Sequence, residues 1–125
     1  MRNEISTPKA PRAIGPYSQA VVAGGFVFTS GQIPIDPATG EMISGSIEEQ
    51  THRVFANLQA VLEAAGTSLH NAVKVTVYLQ SLEDFKRVNE VYAEVFGEVR
   101  PARSTVEVAG LPLGSRVEVD VVATC

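Results

Sequence analysis

Between Ser46 and Leu79 the spacing of apolar residues switches from one period to another, and that switch limits the folds open to this chain. From Ser46 to Ala65, the residues Ile47, Val54, Phe55, Leu58, Val61, Leu62 and Ala65 fall on one helical stripe. Ser46 and Glu49 have capping-box spacing, and Gly66 can end the helix. From Ala72 to Leu79 the pattern alternates instead. Val73, Val75, Val77 and Leu79 lie on one face, and Lys74, Thr76 and Tyr78 on the other. The apolar face of such a strand is the natural partner of the apolar stripe of such a helix.

The remaining elements follow the same logic. Ala20 to Ala23 and Phe26 to Ser30, joined by Gly24-Gly25, read as a hairpin, because a Gly-Gly pair supplies the positive φ of a two-residue turn. Thr7 to Pro16 reads as an irregular arm. Gly31 to Gly45 has no periodicity, and its Asp36-Pro37-Ala38-Thr39-Gly40 segment has turn chemistry; it is either a functional loop or a small second hairpin. Ser81-Leu82-Glu83-Asp84 caps a second helix with the stripe Phe85, Val88, Tyr92, Val95 and Phe96, and Gly97 can stop it. Two strands, expected to be neighbours in the sheet, close the chain around Gly110-Leu111-Pro112-Leu113-Gly114. The expected fold is α+β, with two helices covering one face of a mixed β-sheet in a single domain, residues 1–125. The other face meets either solvent or another subunit; a neighbouring subunit is the preferred expectation.

Charge and cysteine content narrow the function. The net charge is −4, so no basic stripe exists for nucleic acid or an anionic membrane. The one cysteine is the terminal Cys125, which fits a reducing compartment, and the cytoplasm is the expected location. No phosphate-binding glycine loop, no Cys-x-x-Cys and no serine-hydrolase elbow occurs, while His52 and His70 are isolated. These absences point to cofactor-free and metal-free chemistry or to plain binding.

The last quarter carries the candidate chemistry. If Val106 and Val108, and Val117, Val119 and Val121, face the helices, then Arg103, Thr105 and Glu107 share the opposite surface with Arg116, Glu118 and Asp120. An arginine fork suits a carboxylate, and a glutamate can move protons to and from water. The same two side chains would also suit a plain ion pair. Tyr17 is held in a Gly-Pro-Tyr turn, where it can wall a pocket, hydrogen-bond a ligand or simply pack. Ser30 and Gly31 end a strand, where a hydroxyl and a free N–H can either meet a ligand or form a turn. Asn89, on the second helix, is expected to tie down a neighbouring loop.

Several segments, in order along nearly the whole chain, resemble one family. They are Gly15-Pro16-Tyr17-Ser18-Gln19-Ala20, Ser30-Gly31-Gln32-Ile33-Pro34, Asn57-Leu58 with Ala64-Ala65-Gly66, Asp84-Phe85 with Asn89-Glu90-Val91-Tyr92, Pro101-Ala102-Arg103-Ser104, and Leu111-Pro112 with Val117-Glu118-Val119. The chain resembles the Rid family of reactive intermediate deaminases, in its RidA (YjgF-type) branch. The resemblance implies a chorismate-mutase-like fold and a homotrimer with clefts between subunits. It also implies hydrolysis of 2-imino acids and their enamine tautomers to 2-oxo acids and ammonia, with neither cofactor nor metal. By motif it carries over Tyr17, Ser30, Arg103 and Glu118 as site residues; Gly31 and Asn89 lie in matching segments, and Thr105 is placed beside Arg103. Some members have cysteine where this chain has Thr105, so oxidative chemistry linked to that cysteine is not expected here. Two alternatives remain: a non-catalytic binder of 2-oxo or amino acids, and a ribonuclease or translation inhibitor, which the negative charge disfavours.

Overall fold

Gly24 and Gly25 both adopt positive φ, 60° and 82°, and turn β2 (Ala20–Ala23) directly into β3 (Phe26–Thr29). This is the hairpin that the Gly-Gly pair predicts. A computed structural model describes residues 2–125. An N-terminal strand not anticipated from sequence, β1 (Arg2–Ile5), pairs antiparallel with β2. The segment after Gly31 takes the hairpin alternative: β4 (Ile35–Asp36) and β5 (Glu41–Met42) form their own two-stranded sheet.

Helix α1 (Ile47–Ala64) starts at a complete capping box, with Ser46 and Glu49 satisfying each other's backbone N–H. Strand β6 (Ala72–Leu79) follows, then α2 (Phe85–Phe96), β7 (Ala102–Glu107) and β8 (Val117–Thr124). The large sheet has the order β1-β2-β3-β8-β6-β7, and β6–β7 is its one parallel pair, as a strand–helix–strand crossover requires. Both helices cover the same face. Val54, Leu58, Val61 and Leu62 of α1 meet Val27, Val75, Val77, Val119 and Val121 in one apolar core. Each such side chain contributes roughly 1.5–3 kcal/mol on burial. Phe55, Tyr92 and Phe96 join the two helices, with ring centroids 4.5–5.9 Å apart.

Register corrects two sequence readings. Residues directly opposite across paired strands share a face. Val75 lies opposite Arg103 on β7 and Val121 on β8, while Val77 lies opposite Thr105 and Val119. Arg103 and Thr105 are therefore on the helix side. Glu118 and Asp120, opposite Tyr78 and Thr76, are on the uncovered side, together with Ser104 and Val106. The expectation that Arg103 and Glu118 share a surface is wrong, as is the expectation that their strands are neighbours, because β6 lies between them. β7 is an edge strand, and its valines do not mark the core face. The second correction is Val73: a bulge between Ala72 and Lys74 leaves it 41% exposed, off the apolar face of β6.

Candidate functional site

The candidate residues fall into two groups on opposite sides of the sheet, two candidate half-sites. The first is built where β3 runs out. Ser30 and Gln32 continue the strand: Ser30 N donates to Gln19 O, and Gln32 exchanges backbone hydrogen bonds with Val119 at 2.8 and 3.1 Å. This lays Gly31 against Glu118. A Cβ placed on Gly31 would fall 2.0 Å from Glu118 Oε2, so only glycine leaves the carboxylate its position. The Gly31 N–H donates to no backbone or side-chain acceptor among the described residues. Ser30 Oγ donates to Ser18 O at 2.6 Å, which fixes the hydroxyl.

Glu118, Gly31, Ser30 and Tyr17 surround a hollow of about 390 Å³, walled by Ile14, Ile33 and Pro112 among others. Tyr17 N donates to Gly15 O at 2.8 Å, and its hydroxyl accepts from Ile14 N at 3.4 Å, so the Gly-Pro-Tyr turn holds the ring at the rim. Burial, followed by the nearby Asp120 carboxylate, raises the Glu118 pKa above its ordinary value. Asp120 is itself raised, mainly by burial, although Tyr78 donates to it at 3.0 Å.

Two residues support this half-site that sequence reasoning passed over. Asn57 is fully buried on α1; its Nδ2 donates to Ile35 O at 2.9 Å, and its Oδ1 accepts from Arg53 Nε at 3.1 Å. It pins the Ile33–Ile35 wall to the helix. Gln19 is buried as well. It accepts from Thr7 N at 2.7 Å and donates to Thr7 O at 3.1 Å and Pro11 O at 2.8 Å, which ties down the N-terminal arm. The available signal was a polar residue inside an apolar stripe: Asn57 sits between Val54 and Leu58.

The second half-site lies on the helix side, at the β7 edge. Phe85, Asn89 and Tyr92 recur along one face of α2 and together cradle Arg103. Arg103 Nη1 donates to Asn89 Oδ1 at 2.7 Å, and the guanidinium carbon lies 4.7 Å from the Tyr92 ring centroid and 5.6 Å from that of Phe85. Asn89 thus holds a strand residue rather than a loop. Among the described residues no carboxylate lies within ion-pair distance of Arg103. The Arg103–Glu118 ion pair considered as an alternative does not form within the chain. Asn89 and Arg103 line a separate hollow of about 450 Å³. Thr105 borders neither hollow; its Oγ1 is buried without a partner.

The structure thus gathers Tyr17, Ser30, Gly31 and Glu118 in one place and Asn89 with Arg103 in another. The first group offers a proton-exchanging carboxylate over a close-packed backbone. The second offers an oriented, unneutralised fork for an anion. No cluster suited to a metal ion occurs among the described residues, and no helix there is long and apolar enough to cross a membrane.

Comparison with known proteins agrees with this architecture. Residues 7–125 match the family model described as Endoribonuclease L-PSP. A RutC family protein of Pyrococcus horikoshii is 54% identical over 123 residues, covering 98% of both chains. The human protein named 2-iminobutanoate/2-iminopropanoate deaminase is 46% identical, over 98% of this chain and 90% of its own. A crystal structure of a putative endoribonuclease from Thermotoga maritima superimposes with a TM-score of 0.97 at 57% identity, covering 100% of this chain and 98% of that one. The chain belongs to the Endoribonuclease L-PSP family, which is the YjgF/RidA family.

Proposed function

We propose that this protein hydrolyses 2-imino acids, and the enamines that tautomerise to them, to 2-oxo acids and ammonia. We further propose that its active sites form between the subunits of a homotrimer. Arg103 of one subunit would meet Tyr17, Ser30, Gly31 and Glu118 of the next. The observation that carries this reading is the separation itself: a fork without an acid and an acid without a cation, on opposite faces of one sheet. A ring in which the uncovered face of one copy meets the β7 edge of the next would unite them, and such head-to-tail contacts close into rings. The surface around the Glu118 hollow suits a covering partner. Ile14 is 74% exposed, and Leu113, beside Pro112 of the wall, is 66% exposed.

In the united site Arg103 clamps the substrate carboxylate and thereby fixes the electrophilic C2 carbon beside Glu118. Glu118 takes a proton from water as the water oxygen bonds to C2, and passes that proton to the imine nitrogen. The tetrahedral carbinolamine then loses ammonia: Glu118 carries the hydroxyl proton to the departing nitrogen as the C–N bond breaks and C=O forms. One water is consumed and no redox change occurs. A carboxylate with a raised pKa suits both directions of proton transfer. Free imines already hydrolyse in water, so a modest acceleration is sufficient.

RNA cleavage fits less well, because a chain of net charge −4 offers no basic groove to follow a phosphate backbone. The test is a coupled assay in which a dehydratase generates 2-aminoacrylate and the 2-oxo acid is followed. Wild type should accelerate its appearance, and Arg103→Ala should not; equal rates would defeat the proposal. Sedimentation of the wild type at three chain masses supports the ring, and a monomer rules it out.

A further inference from the structure

Arg103 is not the only guanidinium in its hollow. Arg100 lines the same space, held by the backbone carbonyls of Gly97 and Val99 at the end of α2. Neither arginine has a carboxylate partner among the described residues, and no lining residue is acidic. Amide and carbonyl oxygens orient a guanidinium without cancelling its charge. A chain with 14 acidic and 10 basic residues thus keeps its acids out of this one hollow. Tyr92 also lines the hollow, while its hydroxyl is buried without a hydrogen-bond partner. Tyr92, Arg100 and Arg103 thus all line this one hollow.

Two like charges in one hollow repel, and a ligand with two negative groups removes that repulsion. We infer that the hollow selects 2-imino acids whose side chain ends in a second carboxylate, with Arg103 on the α-carboxylate and Arg100 on the distal one. The inference rests on the reading of Arg103 as the carboxylate clamp. The class of reaction that supplies such an imine is oxidation of an acidic amino acid at its Cα–N bond.

The test compares imines generated in place by amino-acid oxidases from aspartate and from alanine. Wild type should favour the aspartate-derived imine in kcat/KM, and Arg100→Gln should lower that preference by roughly tenfold or more, the scale of one charge-assisted hydrogen bond. Arg100→Lys, which keeps the charge, should restore part of it. A preference unchanged in Arg100→Gln would overturn the inference. Titration with succinate and with propanoate provides a readout that needs no turnover. Tighter succinate binding that is lost in Arg100→Gln supports the inference even if neither imine is hydrolysed, an outcome that would defeat only the deaminase reading. Equal affinity of wild type for both acids would overturn the inference even if both imines are hydrolysed.

Discussion

Gly31→Ala separates activity from stability in this site. The added Cβ would sit 2.0 Å from Glu118 Oε2, 2.8 Å from Cδ and 3.0 Å from Cγ, whereas ordinary contact begins at 3.4 Å. The oxygen must therefore retreat by 1.4 Å, the difference between 3.4 and 2.0 Å. What yields is the end of a flexible side chain, and Gly31 does not need a left-handed backbone, so the fold has little to lose. The expected Tm change is below about 4 °C, less than 1 kcal/mol for a domain of this size. A displacement of about 1 Å in a catalytic group can cost about 10²-fold, and general acid–base help is worth roughly 10²–10⁴-fold. The imine-hydrolysis rate of Gly31→Ala should therefore fall by about 10²-fold, close to that of Glu118→Gln. Melting curves and the coupled assay on the same preparation check both parts. Activity within about threefold of wild type would refute the claim that the carboxylate's position matters.

Three further outcomes follow from the geometry. Arg103→Lys keeps the charge but loses the fork and the stacking on Tyr92 and Phe85, so kcat/KM should drop roughly 10- to 100-fold in steady-state kinetics. Asn57→Ala leaves the Ile35 carbonyl unpaired beside a buried gap, and denaturant unfolding should show a loss of about 2–3 kcal/mol. For Glu118, folding raises the pKa above 4.5, so its carboxyl favours the folded state fully below 4.5 and loses that contribution as pH rises through the folded value. Glu118→Gln should thus gain Tm relative to wild type as the pH rises above 4.5 through the folded value; a difference that does not change with pH would contradict this.

The parts of the fold legible in sequence are those where one signal decides. The α1 stripe with its capping box, the Gly-Gly hairpin and the alternation of β6 each have a single structural solution. β7 does not. With valines at positions 106 and 108 and polar residues between, its phase depends on which residue of β6 it pairs with, and a one-residue slip sends every side chain to the other face. Parallel pairing across the α2 crossover sets that register, placing Val75 opposite Arg103, and no local pattern announces it. The identities of the candidate residues were readable from motif, but their division into two half-sites was not. The β1 strand was also hidden, because Arg2-Asn3-Glu4-Ile5 has no apolar alternation and depends on pairing with β2.

Subunit complementation tests the central claim most directly. Arg103→Ala and Glu118→Gln, each inactive alone, are mixed at equal amounts, dissociated and reassembled. If each site takes Arg103 from one subunit and Glu118 from its neighbour, random assembly leaves about one site in four with both groups intact in any closed ring. The account predicts recovery of about a quarter of wild-type activity. No recovery after subunit exchange has been verified would contradict it.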